Sequence, residues 1–216
     1  MRADQVLRLA IFCCWWLCAT PVLVDAQVPV QTPAAQQERL ARRGAGVRVG
    51  FWQVEIPADD ESRSPQFEAY LQRGLDGQLT LENSVGVWWV TTTAAQALPD
   101  APDVETRAYI VPLLTSLKVF PMSGPGDRFE PYVMAGVGIA LGIEDEGENA
   151  IGGGGSTIVT GLAFRGAVGA EFRLTPAFGL SAAGKYQWTR FGEDLGITES
   201  FSGVGAEGGL TYRFPF

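Results

Sequence analysis

The charged side chains are the first candidates for chemistry, because the chain contains no histidine. Ser-His-Asp and Cys-His catalysis both need histidine, which is also the usual proton shuttle near neutral pH. A pair of carboxylates could still hydrolyse a substrate. However, Glu171 and Glu207 occur among Arg165, Lys185 and Arg213, and neighbouring cations hold carboxylates ionised. We therefore expect a salt-bridge network and no catalytic residue.

All three cysteines lie in one apolar run near the start of the chain, at positions 13, 14 and 18. The run spans residues 9–24 and follows Arg2 and Arg8. Its last residue, Val24, begins the small-residue pattern Val24-Asp25-Ala26. This pattern predicts a secretory signal peptide over residues 1–26, cleaved after Ala26. The alternative is an uncleaved membrane anchor, but a spanning helix needs about 20 apolar residues. After cleavage the chain would have no thiol, and thus no disulfide or cysteine-based metal site.

The net charge is −8, and the acids concentrate in four polar segments, 57–65, 94–104, 144–156 and 192–199. This surface makes nucleic acid a poor partner, because polyanions are repelled. One interpretation is that the acidic side chains keep these segments hydrated. A second interpretation is divalent cation binding, which favours clustered carboxylates and could bridge neighbouring lipid phosphates. The candidate ligands, which lack EF-hand spacing, are Glu144, Asp145, Glu146 and Glu148.

Two glycine-rich stretches do not match nucleotide-binding motifs. The run at 152–155 is followed by neither Lys-Ser nor Lys-Thr, as a phosphate-binding loop requires. Gly136, Gly138 and Gly142 do not have dinucleotide spacing, and they fit strand positions that permit close packing. We expect no cofactor.

From residue 46 onward, apolar and polar residues alternate with a period of two, and the elements with this pattern must position the charged side chains. Alternation of this kind predicts eight strands, at 46–56, 66–75, 78–93, 105–120, 129–143, 157–174, 178–191 and 200–214. Short connections at 76–77, 121–128 and 175–177 alternate with the four longer polar segments. Short turns on one side and long loops on the other predict an all-β, eight-stranded antiparallel up-and-down transmembrane barrel over residues 46–216. Residues 27–45 are expected to form a periplasmic lead-in that is partly disordered or holds a short helix at 33–43.

The last three strands separate large apolar side chains from polar ones. In the last strand one face carries Val204, Ala206, Gly208, Leu210, Tyr212, Phe214 and Phe216. We expect the opposite, inward faces to form a lumen salt-bridge network of Arg165, Glu171, Arg173, Lys185, Glu207 and Arg213. Large side chains would then face lipid.

Aromatic residues are expected to form one belt at each membrane interface, where amphipathic rings are favoured. The belt at the short turns would contain Phe120, Phe129, Tyr132, Phe172, Phe178, Tyr212, Phe214 and Phe216. The belt at the long loops would contain Trp89, Tyr109, Tyr186, Trp188 and Phe191.

Three segments resemble the small outer-membrane barrel families of the OmpA transmembrane domain, OmpX and OmpW. They are 131–138 (PYVMAGVG), 167–174 (AVGAEFRL) and 209–216 (GLTYRFPF). The resemblance implies a bacterial outer-membrane location and contact with outer-membrane lipids. It also implies that Tyr212, Phe214 and Phe216 form an insertion signal read by the barrel-insertion machinery. Pro215 departs from this pattern, because it removes a backbone donor.

Eight strands leave little open space inside a barrel, so a general porin is not expected. The leading hypothesis is a non-enzymatic outer-membrane protein with a structural or surface-interaction role. One alternative is an OmpW-like narrow conduit for small hydrophobic molecules, and another is a soluble periplasmic lipocalin-like binding protein.

Overall fold

A computed structural model describes residues 42–55, 62–94, 104–122, 127–146, 156–195 and 198–214. These residues form one closed barrel in which every strand pairs antiparallel with its neighbours in sequence and β1 closes on β8. The strands are β1 (Gly44–Glu55), β2 (Ser62–Gly74), β3 (Leu79–Ala94), β4 (Val104–Val119), β5 (Phe129–Glu146), β6 (Ser156–Arg173), β7 (Phe178–Leu195) and β8 (Thr198–Arg213). The predicted eight-stranded up-and-down barrel is confirmed. Within the described ranges, no helix is long and apolar enough to cross a membrane.

The barrel has a turn end and a loop end. The turn end carries the β2–β3, β4–β5 and β6–β7 connections together with Arg42 and Phe214, and the loop end carries the other four connections. At the turn end, the Asp76 carboxylate accepts hydrogen bonds from the backbone N–H groups of Gln78 (2.7 Å) and Leu79 (2.6 Å). Side-chain acceptors of this kind stabilise tight turns.

Several strands reach further toward the loop end than their alternation predicts. β2 begins at 62, β5 continues to 146, β7 continues to 195, and β8 begins at 198. The prediction of a long loop at 192–199 is therefore wrong, since Leu195 pairs with Thr198 after an irregularity in register. The polar residues there interrupt the hydrophobic pattern but leave the backbone free to continue the ladder.

The predicted inward and outward faces of β6, β7 and β8 are present. Large apolar side chains are exposed on the outer wall, with Phe51 at 72%, Val168 at 64% and Phe129 at 61%. The predicted aromatic belts are wrong at three positions, because Phe120, Tyr132 and Phe191 are buried and lie on the inward faces. Phe216 lies outside the described residues.

Close strand packing makes one glycine of β5 sensitive to substitution. An added Cβ at Gly138 would overlap the backbone carbonyl of Leu113 on β4, whereas a Cβ at Gly166 of β6 would meet nothing within 4 Å. We expect Gly138→Val to destabilise the barrel by about 1–3 kcal/mol, as overpacking does. Gly166→Val is the matched control and should change stability little. Urea titration of the heat-modifiable folded band on a gel measures both, and equal midpoints for the two variants would contradict this assignment.

Candidate functional site: the barrel lumen

A continuous set of buried ion pairs fills the half of the lumen nearer the turn end. We call this set the ionic layer. Its cations are Arg42, Arg48, Lys118, Arg165, Arg173, Lys185 and Arg213, and its anions are Glu68, Glu82, Glu130, Glu171 and Glu207.

Arg48 of β1 is the centre of the ionic layer. Its guanidinium is bidentate to Glu82, with distances of 2.6 Å and 2.5 Å, and also donates to Glu68 at 2.8 Å. Its Nε lies 3.6 Å from Oε1 of Glu207, and its guanidinium carbon lies 3.8 Å from the centre of the Tyr70 ring. A planar, multiply hydrogen-bonding cation suits this position, because it can contact several carboxylates at once.

Lys118 of β4 connects the Arg48 cluster to the turn end. Its ammonium lies 3.0 Å from Glu82 and 2.9 Å from Glu171. It also lies 4.5 Å from the centre of the Tyr132 ring, which is a favourable distance for a cation over an aromatic face. Glu171 therefore shares its charge between Lys118 and Arg213, the latter at 3.1 Å.

Two further pairs complete the layer on the opposite wall. Arg165 of β6 pairs with Glu68 through both terminal guanidinium nitrogens, and Lys185 of β7 pairs with Glu207 at 2.5 Å. Because Glu68 and Glu207 also approach Arg48, the layer links strands on both sides of the barrel.

Three arginines converge on Glu130 at the turn end. The Glu130 carboxylate lies 2.9 Å from Arg42, 3.2 Å from Arg173 and 3.2 Å from Arg213. Arg42 precedes β1, donates to the carbonyl of Gly77 at 3.2 Å and lies 4.0 Å from the centre of the Phe120 ring. The side chain of Arg42 thus closes this mouth of the lumen, and the layer's excess of positive charge lies here.

The half of the lumen nearer the loop end is apolar and aromatic. Trp52 and Trp88 have ring centres 5.9 Å apart, Trp88 and Phe201 are 6.0 Å apart, and Phe201 and Phe191 are 5.8 Å apart. We call these four residues the aromatic cap. They are at most 2% exposed and pack with aliphatic neighbours that include Leu195, so the cap closes the lumen on this side.

A few polar atoms next to the cap have no hydrogen-bond partner in the protein. They include both amide atoms of Gln66, the hydroxyl of Ser84 and the indole N–H groups of Trp52 and Trp88. Buried polar groups are normally hydrogen-bonded, often to ordered water.

The structure places all six residues of the predicted lumen network in the ionic layer. Sequence reasoning missed six members of this network, including its centre: Arg42, Arg48, Glu68, Glu82, Lys118 and Glu130. The signal was present for two of them. Arg48 alternates with exposed Val47 and Val49, and Glu68 follows exposed Phe67, so both had the period of an inward position.

The predicted metal ligands do not meet in a described cluster. Glu144 is half-buried at the end of β5, Asp145 and Glu146 also belong to β5, and Glu148 lies outside the described residues. No group of three or more potential metal ligands occurs in the part of the chain that the structure describes. Tyr212 and Phe214 face outward and are 41% and 43% exposed.

Removing a central carboxylate should destabilise the barrel strongly. Glu82→Gln leaves Arg48 and Lys118 without the anion that they share, and breaking a buried ion pair in this way costs about 3–5 kcal/mol. Glu199→Gln is the matched control, because it breaks the exposed Arg190–Glu199 pair and should cost less than about 1 kcal/mol. Denaturant unfolding in detergent measures both, and equal losses would show that the ionic layer does not stabilise the barrel.

Among the three comparisons with known proteins, the search of solved structures alone finds matches, and these identify the fold. Neither a protein-family model nor a curated protein matches the chain. Neisserial surface protein A aligns with a TM-score of 0.56 and 13% identity, covering 80% of this chain and 97% of that protein. The attachment invasion locus protein Ail of Yersinia pestis, in complex with the heparin analogue sucrose octasulfate, aligns with a TM-score of 0.55 and 12% identity. This alignment covers 80% of this chain and 98% of that protein. The chain therefore has the fold of the small outer-membrane β-barrels, as its sequence resemblance implied.

Proposed function

We propose that this protein is a non-enzymatic integral protein of the bacterial outer membrane with a structural or surface-interaction role. The observation that carries the proposal is the distribution of side chains across the barrel wall. Apolar residues with 40–72% exposure occur on the outer faces of the strands, while the ionic layer lies inside.

An outer wall of this kind is suited to lipid. Soluble monomers rarely expose continuous apolar patches larger than a few hundred Å², whereas a transmembrane barrel needs an apolar band around its whole outer surface. The outward faces of β1, β5, β6, β7 and β8 all contribute exposed large apolar side chains. A soluble lipocalin-like barrel would need the reverse arrangement, so we do not favour that alternative.

The lumen supports a scaffold rather than a passage or an enzyme. The glutamates of the ionic layer each contact at least one cation within 3.2 Å, so each of them is held in an ion pair. Side chains also occlude both ends of the described lumen. The parts that remain available for interaction are the loop end and the outer wall.

Export and insertion follow from the same proposal. We infer that residues 1–26 act as a cleaved signal peptide, and that Tyr212, Phe214 and Phe216 are read by the barrel-insertion machinery. The outward alternation of Leu210, Tyr212 and Phe214 supports this reading. At the loop end, divalent cations at Glu144, Asp145, Glu146 and Glu148 would bridge to lipid phosphates.

The Ail structure contains a sulfated heparin analogue, but the same class of ligand suits this chain poorly. The loop-end segments carry Asp59, Asp60, Glu61, Asp100, Asp103, Glu144, Asp145, Glu146, Glu148, Glu193, Asp194 and Glu199. Such a surface repels soluble polyanions. We propose neutral or cationic partners for the loop end.

A narrow conduit for small hydrophobic molecules is the second candidate. It is favoured by the apolar lining of the half of the lumen nearer the loop end, where Trp52, Trp88 and Leu195 lie. It is disfavoured by the close packing of the same residues, which would have to separate for a solute to pass.

Fractionation of cells tests the membrane proposal. We expect the protein in the outer-membrane band of a sucrose gradient, extractable only with detergent and heat-modifiable on a gel, because its outer wall is apolar. A known periplasmic protein in the same gradient is the control. Recovery in the soluble periplasm without detergent would refute the proposal.

Planar-bilayer recording separates the scaffold from the conduit. We expect no discrete conductance from the wild-type protein and none from Phe164→Leu, an outer-wall control. Trp52→Ala and Trp88→Ala together remove two of the four residues of the aromatic cap and should produce water leakage at most, because the ionic layer still fills the half of the lumen nearer the turn end. Discrete currents or uptake of hydrophobic solutes by the wild type would favour the conduit.

A further inference from the structure

We propose that a groove on the outer wall of β5, β6 and β7 binds a phosphorylated glycolipid of the lipid A type. In this arrangement an acyl chain would occupy the groove and a phosphate group would bind Arg190. The inference rests on the proposed outer-membrane location and adds a specific lipid partner to it.

The groove has a volume of about 410 Å³ and lies toward the loop end. It is lined by Ile139, Thr160, Gly161, Leu162, Trp188, Arg190, Phe191 and Gly192. This volume falls within the range of small-molecule sites, about 300–1,000 Å³. The groove opens on the outer wall, where Thr160, Leu162 and Arg190 are exposed, and it shares only Phe191 with the aromatic cap.

The floor and walls of the groove suit a hydrocarbon chain. Ile139, Leu162 and Trp188 supply apolar surface, and Trp188 packs against Phe164 with ring centres 5.4 Å apart. Gly192 keeps one side open, since an added Cβ there would lie 3.9 Å from the nearest heavy atom, the carbonyl oxygen of Thr160.

Arg190 supplies a cation at the rim of this apolar surface. Its side chain is 55% exposed and pairs with Glu199 at 3.1 Å, and that carboxylate is itself 47% exposed. An exposed pair of this kind contributes little stability, so a doubly charged phosphate can compete for the guanidinium. Arginine forms two parallel hydrogen bonds to phosphate.

The position of the groove selects the lipid. Trp188 lies two residues from Arg190 on the same face of β7, and outward-facing tryptophan marks the membrane interface. Lipid phosphates lie at that depth. In the proposed topology the loop end is the outer face, and the outer leaflet of this membrane is built from phosphorylated glycolipid rather than phospholipid.

Titration of the folded full-length protein in detergent micelles tests the site, with diphosphoryl lipid A as the probe. Native mass spectrometry counts bound lipid, and the unfolding midpoint should rise with lipid concentration because the ligand binds the folded state. Arg190→Gln should weaken binding about tenfold, the effect of losing one charge-assisted contact. Gly192→Leu should abolish it by filling the groove. Glu199→Gln should tighten binding about two- to fivefold, because it removes the competing carboxylate.

Matched controls distinguish the groove from general attraction to the barrel. Arg63→Gln removes another exposed arginine, and Gly166→Leu adds a side chain at an open glycine of the outer wall; both should bind lipid A like the wild type. Equal losses in Arg63→Gln and Arg190→Gln, or unchanged binding in Gly192→Leu, would overturn the proposal. Equal binding of phosphatidylglycerol, or of inorganic phosphate alone, would also overturn it. Failure of these titrations leaves the membrane proposal intact, since cell fractionation tests that separately.

Discussion

Neutralisation of charge inside a narrow barrel is the constraint on which the rest of the structure depends. An isolated ion transferred from water to an apolar interior costs tens of kcal/mol, so each inward charge of an eight-stranded barrel needs a partner within reach. Arg48 meets this constraint for three carboxylates at once, Glu68, Glu82 and Glu207. Because these residues come from four different strands, their pairing also fixes the registers of those strands relative to one another. The same contacts therefore permit an apolar outer wall, since they remove the charges from it.

The division of the lumen into an ionic half and an aromatic half follows the strands themselves. β1 changes from Arg48 to Trp52 on its inward face, and β3 changes from Glu82 to Trp88. An ionic layer alone would leave its outermost carboxylates open to solvent at the loop end. The aromatic cap excludes water from that side and thereby strengthens the ion pairs beneath it, because electrostatic attraction rises as the local dielectric falls. Arg42, held by Glu130, Gly77 and Phe120, closes the other side.

The fold was predictable from the sequence because β6, β7 and β8 alternate cleanly, as in the exposed Phe164 and Val168 on either side of buried Arg165. The centre of the site was not predictable for a physical reason. An inward position in this barrel can be charged or aromatic, so hydrophobicity does not distinguish the two faces of β1, β4 and β5. Tyr132 and Phe120 were therefore expected in the outer belt, although they pack in the lumen next to Lys118. The extent of β7 and β8 was underestimated, because backbone pairing at Leu195 and Thr198 does not require apolar side chains.

The sequence positions of the two signs of charge at the loop end would reconcile an acidic surface with the proposed binding of an anionic lipid. The acids concentrate in the connections and at the strand ends, whereas Arg63, Arg107 and Arg190 lie within strands and are exposed. Screening in salt confines each effect to about 8–10 Å. In the proposed topology, the acidic residues would repel a soluble polyanion that approaches the loop end. A lipid phosphate would arrive instead within the plane of the membrane, beside Trp188, where Arg190 is the cation that lines the groove. Under this proposal, one end of the barrel would exclude anions in solution and still hold those that belong to the membrane.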